Sequence, residues 1–322
     1  MPAQISANRH SEDWLTVHPM VAEDAAAMTA MRAAVEGHKG ELRGAAVRVP
    51  FDAMMEGVSA PESVTYERDT VGGISGLWCK PGDARPGQVV LHIHGGWFNW
   101  GSAQAFRDLV GHIGLVTGVA AFAPDYRRAP EDPFPAAPED VRACYLGLIE
   151  RGYSEIAVTG DSAGGNLTLG LLAYIARSAS AAKDALAGAV ALSPVTDLAL
   201  SGASWATRAE ADPYFVKPQA EELVRSYLGG HDATDPAASP LYANLTGLAP
   251  VRVHVGDDEV LLDDSVRFVE RARKAGVDAR LDVWEGMAHG FLGGVGRLAA
   301  SSEALHAIGE FLTERFNSKQ RR

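Results

Sequence analysis

From residue 89 onward the chain alternates short apolar, β-prone runs with stretches of helical length, and no other feature limits its fold so strongly. Val89-Val90-Leu91-His92-Ile93, Val119 to Ala123, Ile156 to Val158, Ala189 to Leu192, Val251 to Val255 and Ala279 to Trp284 read as strands. Pro138 to Glu150, Ala163 to Arg177, Ser265 to Ala275 and Glu303 to Phe316 read as helices. Strands joined through helices must run parallel, and a parallel sheet needs helices on both faces. The expected class is therefore α/β, with a mostly parallel central sheet. Upstream, residues 20 to 37 read as a helix with Met20, Val21, Ala27, Met28, Met31 and Val35 near one face. An apolar patch follows at Phe51 to Val58, and Ser63 to Tyr66 with Ile74 to Cys79 form a hairpin signal around Gly72-Gly73.

One segment interrupts the rhythm. Residues 198 to 240 carry Trp205, Tyr214, Phe215, the helical stretch Pro218 to Leu228 and the turn-rich run HDATDPAASP. A long insertion after a parallel strand sits above the carboxyl ends of the strands, where ligands bind. It reads as a lid that packs with the N-terminal helices.

Charge and composition remove several classes of function. Twenty-nine basic against forty-one acidic residues leave a net charge of −12, which repels nucleic acid and anionic lipid. The one basic run, Lys319-Gln320-Arg321-Arg322, reads as a solvated tail. Nothing approaches the roughly 18 apolar residues of a membrane span, and MPAQISANRHSEDWL has no apolar leader core. A cytoplasmic protein is expected. Two cysteines, Cys79 and Cys144, are too few for a disulfide framework or a cysteine-built zinc site. His92 and His94 face the same way on one strand, yet no third ligand accompanies them, so no metal and no cofactor is expected.

The sharpest motif is Gly160-Asp161-Ser162-Ala163-Gly164, between the strand at 156–158 and the helix from 163. A serine on such a turn projects its hydroxyl above the sheet, and the flanking glycines allow the backbones to approach. The helix N-terminus adds free N–H groups and a positive dipole end. A serine hydroxyl needs a histidine base held by a carboxylate. Of ten histidines, His289 in Gly286-Met287-Ala288-His289-Gly290-Phe291 follows the last strand and is the best placed. His10, His18, His38, His231 and His306 are weaker candidates. The acid belongs at a strand end between Ser162 and His289, and the run from Asp257 to Asp264 offers five carboxylates there, among which position alone does not choose. His94-Gly95-Gly96-Trp97-Phe98 follows the strand at 89–93. Its unobstructed N–H groups, with that of Ala163, suit an oxyanion.

Together these residues resemble the hormone-sensitive-lipase-like carboxylesterases of the α/β-hydrolase superfamily. The resemblance runs from about residue 60 through HGGW at 94–97, PDYRRAPE at 124–131, PFPAA at 133–137, GDSAGG at 160–165, SPLY at 239–242 and GMAHGF at 286–291. It implies an α/β-hydrolase fold and a cap built from residues 1–58 and 198–240 over a catalytic domain of 59–197 and 241–322. It also implies oxyanion donors at Gly95, Gly96 and Ala163. The family's acid is usually an aspartate about thirty residues before the histidine, followed by an apolar pair and another acidic residue. Aligning Val260-Leu261-Leu262-Asp263 with that pattern puts Glu259 at the acid, with Asp258 the runner-up. The family's HGGG has Trp97 in place of its last glycine.

The implied function is a serine carboxylesterase acting on small-molecule esters through an acyl-enzyme. Lactonase, amidase or N-acetyl hydrolase activity on the same triad, or a non-catalytic binding protein on this fold, are the alternatives. Trp97, Phe98, Trp100, Tyr214, Phe215 and Phe291 are expected to line the substrate site and narrow it to short acyl chains, about four to six carbons. The strand at 279–284 is expected to be the last of the sheet, and its unpaired edge to pair with a second copy as a homodimer.

Overall fold

A computed structural model describes residues 13–178 and 180–319. The leader expectation for residues 1–15 and the solvated-tail expectation for 319–322 fall mostly on residues 1–12 and 320–322, which lie outside the described residues, and Lys319 ends the last helix. Among the described residues nine strands form one sheet: β1 Leu15–His18, β2 Val64–Val71, β3 Ile74–Pro81, β4 Gln88–Ile93, β5 Ala120–Pro124, β6 Glu155–Asp161, β7 Leu186–Leu192, β8 Val251–Gly256 and β9 Ala279–Trp284. Their spatial order is β1-β9-β8-β7-β6-β4-β5-β3-β2. The hairpin β2–β3 pairs antiparallel within itself and onto β5, and every other pairing is parallel.

Helices cover both faces because the strands are apolar on both sides. Along β4, Val89, Leu91 and Ile93 enter one core cluster while Val90 enters the other. β6 divides likewise, with Ile156 and Val158 on one side and Ala157 on the other. This is the two-residue period of a strand buried on both faces. Helices Ala136–Glu150, Ala163–Ile175 and Leu262–Lys274 contribute to the first cluster, and Arg107–Thr117 and Ala299–Lys319 to the second. No helix among the described residues is long and apolar enough to cross a membrane.

The insertion and the N-terminal segments hold one another through polar contacts. Arg32 in helix Ala22–Val35 donates to the Ala211 carbonyl, Lys39 to the carbonyls of Ala209 and Asp212, and Gln219 to that of Leu42 at 2.8 Å. Arg43 pairs with Glu222 at 2.7 Å. Both segments also reach the sheet. Helix Arg48–Met55 lies before the hairpin, and Lys217–Leu228 packs its Leu223, Val224 and Tyr227 into the first cluster.

The expected edge at 279–284 is not an edge. β1 pairs with β9 in parallel, from Leu15 opposite Leu281 to His18 opposite Trp284, so the row of backbone groups that was to recruit a second copy is already occupied. With it goes the physical reason for a homodimer through that strand. A four-residue strand has too short a run for its period to stand out in the sequence, and tertiary contacts fix it. His18 stacks on Trp284 with ring centres 3.8 Å apart and planes 6° from parallel, and its Nε2 lies 2.8 Å from Oδ1 of buried Asp282. His18→Ala should therefore lower unfolding free energy by about 1–2 kcal/mol, measured by urea denaturation, since it removes both a stacked ring and a partner of a buried carboxylate.

Candidate active site

β6 ends at Asp161 and helix Ala163–Ile175 starts two residues on, leaving Ser162 at the turn with φ 54° and ψ −117°. A side chain there is held against steric preference by its surroundings. The Ser162 N–H donates to the Leu192 carbonyl at 2.7 Å, and its own carbonyl accepts from Asn166 N–H at 3.1 Å and Val195 N–H at 3.3 Å. The helix comes down tightly over β4: a Cβ on Gly164 would lie 1.9 Å from the Ile93 carbonyl oxygen. Ala163 opens the helix, so its N–H has no acceptor within it.

Gly95 and Gly96 leave the end of β4 beside this turn. Gly96 has φ +112°, and a Cβ there would meet the Trp100 carbonyl oxygen at 2.5 Å. The next two residues, Trp97 and Phe98, also have positive φ, 52° and 60°, without being glycine. Asn99 braces them: its Nδ2 donates to the Trp97 carbonyl at 2.6 Å and to the Leu223 carbonyl at 3.3 Å, while its Oδ1 accepts from the Ser226 hydroxyl at 2.8 Å.

His289 stands in the turn after β9, with Nδ1 2.8 Å from Glu259 Oε2. Glu259 is fully buried, and its Oε1 accepts from the Gly256 N–H and the Ser193 hydroxyl, each at 2.7 Å. The other carboxylates of the acidic run have different partners. Asp258 turns to Arg32 at 2.6 Å, Asp257 accepts from Gly286 N–H at 2.7 Å, and Asp263 accepts from Ser204 N–H at 3.0 Å. Asp264 accepts from Thr196 N–H at 2.7 Å and Asp197 N–H at 2.9 Å. The structure thus brings Glu259, and not Asp258, to His289. Burial works against a charged imidazole at His289, but the charge and hydrogen bond of Glu259, then the charges of Asp212 and Asp161, outweigh it. Its pKa lies above the ordinary histidine value of 6.5.

Ser162 and His289 line one cavity of about 30 Å³, with apolar walls from Met55, Leu109, Leu192, Phe291 and Leu292. Of the aromatic residues expected at the substrate site, Phe291 lines this cavity, and Trp97, Tyr214 and Phe215 are not among its lining residues. Phe215 stands edge-on to His289 with ring centres 5.0 Å apart, and Trp97 packs edge-on against Phe215 at 5.4 Å, one ring removed from the base. Tyr214 packs beside Phe215 and turns its hydroxyl to the Met31 sulfur at 3.1 Å. Phe98 and Trp100 do not line the cavity. Phe98 stacks on Tyr227 at 3.7 Å, and Trp100 donates to the Gly44 carbonyl at 2.8 Å and packs on Phe51. Both are fully buried because their loop turns them under the insertion and the N-terminal segment, so the expectation that they contact substrate is corrected.

Several residues lining the cavity, among them Ser193, Met55, Leu109, Leu192 and Leu292, are not named as site residues by the sequence reading. Ser193 follows β7, next to the strand of Ser162, and its positive φ of 44° and bond to Glu259 carry no motif beyond that position. Met55 lies in the apolar patch noted at 51–58, and Leu109 in a helix the sequence did not reveal. His92 and His94 have structural partners: His92 Nδ1 meets Thr159 Oγ1 at 2.9 Å, and His94 donates from Nδ1 to the Gly95 carbonyl at 2.8 Å and stacks on Tyr126 at 4.3 Å. Burial pushes the His94 pKa down to about 3. Among the described residues no three His, Cys, Asp or Glu side chains gather as metal ligands.

Residues 90–293 match the family model described as the alpha/beta hydrolase fold. An acetyl-hydrolase of Streptomyces hygroscopicus is 38% identical over 68% of this chain and 73% of its own length. A putative acetyl-hydrolase of Mycobacterium tuberculosis is 31% identical over 85% and 88%. Among solved structures, EstE5 superposes with a TM-score of 0.84 at 35% identity, covering 92% of this chain and 99% of its own. An esterase of the bacterial hormone-sensitive lipase family gives 0.81 at 37%, covering 91% and 97%. Trp97 offers a structural test of the glycine-rich turn. Trp97→Gly removes a strained φ but empties the space against Phe215 and Trp205, so it should cost about 2–4 kcal/mol of stability in a denaturant titration.

Proposed function

This chain belongs to the α/β-hydrolase family, in its hormone-sensitive-lipase-like branch, and is a serine carboxylesterase; from that premise we propose how its residues divide the reaction. Ser162 attacks the acyl carbon as His289 takes its hydroxyl proton at Nε2. The N–H groups of Gly95, Gly96 and Ala163 donate to the oxyanion, where the loss of one donor costs about 3 kcal/mol. His289 then gives its proton to the departing alcohol. Water, deprotonated by the same imidazole, attacks the acyl carbon and releases Ser162. Glu259 accepts from His289 Nδ1–H, fixing the tautomer that leaves Nε2 free as the base.

The observation that carries this reading is the buried Glu259 on His289, in a cavity that also exposes Ser162. Residues 22–58 and 198–240 act as the cap, a division supported by the contacts between them and by Met55 and Phe215 beside the triad, whereas Leu15–His18, expected in the cap, belong to the sheet beside β9. The substrates are esters of short acyl chains. The narrow cavity and its apolar walls support this, as do relatives named acetyl-hydrolases. Lactonase, amidase and pure binding functions gain no support from any of these observations. A homodimer is not part of the proposal, because β1 occupies the edge on which it rested.

The base must be neutral to act, so turnover falls as pH drops through the His289 pKa. Because that pKa is raised, the acid limb of kcat/KM should lie above pH 6.5. Glu259→Gln should fold and lose about 10²–10⁴-fold in kcat, whereas Asp258→Asn should stay within about tenfold of wild type, the ranking to be read from p-nitrophenyl acetate hydrolysis. Across p-nitrophenyl esters of rising acyl length, kcat/KM should peak at short chains. Met55→Ala should move the peak to longer ones, at about 0.8 kcal/mol per methylene newly accommodated. An unchanged peak would exclude Met55 from the acyl wall.

A further inference from the structure

Asp212 belongs to the insertion, yet it is fully buried and its carboxylate accepts three main-chain N–H bonds near the triad. Its Oδ1 accepts from Tyr214 N–H at 2.8 Å and Phe215 N–H at 2.9 Å. Its Oδ2 accepts from Val260 N–H at 3.0 Å. The first two bonds fix the turn that sets the Phe215 ring edge-on to His289. The third grips the residue directly after Glu259. A single side chain therefore joins the ring that packs on the base to the loop that carries the acid.

The main chain around Asp212 is anchored in turn by the N-terminal part of the cap. Lys39 donates to the carbonyls of Ala209 and Asp212. Arg32 donates to the carbonyl of Ala211 and bridges to Asp258, beside Glu259. The Asp212 N–H donates to the Arg208 carbonyl at 2.9 Å. This gives a continuous chain of contacts from helix Ala22–Val35, through residues 208–215, to both Glu259 and His289.

A buried carboxylate is a costly way to close a turn, since serine or asparagine can cap one without charge. What only the charged residue adds is a negative field at the imidazole. We propose that Asp212 is a positioning residue for ester hydrolysis, which locks the cap to the acid–base pair and stabilises the imidazolium that forms as Ser162 gives up its proton. The inference rests on His289 as base and Glu259 as acid. Three carboxylates bear on His289: Glu259 from the loop after β8, Asp161 from the end of β6 and Asp212 from the insertion. Arg32, Lys39, Arg208, Tyr214, Asp257 and Asp258 are further charged or titratable groups on or against the Asp212 segment. Glu259 holds Nδ1 directly, so Asp212 acts through charge and through the placement of its neighbours.

Asp212→Asn keeps the size of the side chain and removes its charge. In a purified full-length protein with a cooperative melt, its kcat on p-nitrophenyl acetate should fall about tenfold or more, with KM within about threefold. Its acid limb should move to lower pH by about half a unit or more, as loss of a nearby negative charge destabilises the imidazolium. The rate of Ser162 labelling by a phosphonate should follow the same shifted limb. Should Asp212→Asn fail to fold, Asp212→Ser, which retains an oxygen to cap the turn, carries the same expectation. A folded Asp212 variant with a wild-type limb overturns the inference, whether or not its kcat has fallen. Ser162→Ala, run in parallel, separates the two readings: retained turnover there would remove the premise, while an inactive Ser162→Ala beside an unshifted Asp212→Asn removes this inference alone.

Discussion

The site depends first on a steric limit, the approach of helix Ala163–Ile175 to the end of β4. Gly164 lies so close to the Ile93 carbonyl that no side chain fits between them. Because the helix cannot be raised, the chain must leave β6 and enter the helix within a single residue, and Ser162 takes the left-handed conformation that this requires. Its hydroxyl then stands above the sheet at a helix N-terminus, next to the glycines that leave β4. The proposed nucleophile, the positive end of the helix and the proposed oxyanion donors are therefore one construction, and a change that relaxes the turn disturbs all three.

The second constraint is electrostatic. His289 is surrounded by protein, which disfavours its charged form, while Glu259 favours it, with smaller contributions from Asp212 and Asp161. Burying a carboxylate as deeply as Glu259 is tolerable only when its oxygens are satisfied. Gly256, Ser193 and His289 satisfy them between them. Ser193 is thus tied to the histidine through the acid, and its strained backbone lies at the end of β7 where that reach is possible. The longer arm of glutamate fits this arrangement, since its two oxygens divide between the loop that carries it and the imidazole.

How much of this is legible in the sequence follows from the range of each interaction. The parallel sheet and its helices are, because Val89 to Ile93 and Ile156 to Val158 show burial on both faces within a few residues. The elbow is, because glycine, serine and glycine must stand two apart at a strand–helix junction. Glu259 became distinguishable from its neighbours only through family spacing, and the structure shows why the residues alone left it open. Five carboxylates crowd residues 257–264, from the loop after β8 into the first turn of helix Leu262–Lys274, and the partners of the four besides Glu259, namely Arg32, Gly286, Ser204 and Thr196, come from four other segments. β1 was invisible for the same reason, since four residues become a strand only where β9 offers an edge. Phe98 and Trp100 were misplaced because nearness in sequence to the glycines says nothing about which way a left-handed loop turns its rings.

That loop shows how far the insertion serves as more than a cover. Trp97 and Phe98 hold positive φ without the freedom of glycine, a conformation that costs about 1–3 kcal/mol per residue unless its surroundings enforce it. The enforcement comes from helix Lys217–Leu228: Asn99 joins the Trp97 carbonyl to Leu223 and Ser226, and Phe98 lies flat on Tyr227. Gly95 and Gly96 sit at the head of this braced turn, so the direction of their N–H groups depends on the insertion as much as on β4. Asp212 makes the matching connection on the far side, to the loop of Glu259. The proposed oxyanion donors and the proposed acid are thus both held from the insertion, which makes the proposed cap a working part of the site, and its detachment would loosen the two ends of the reaction together.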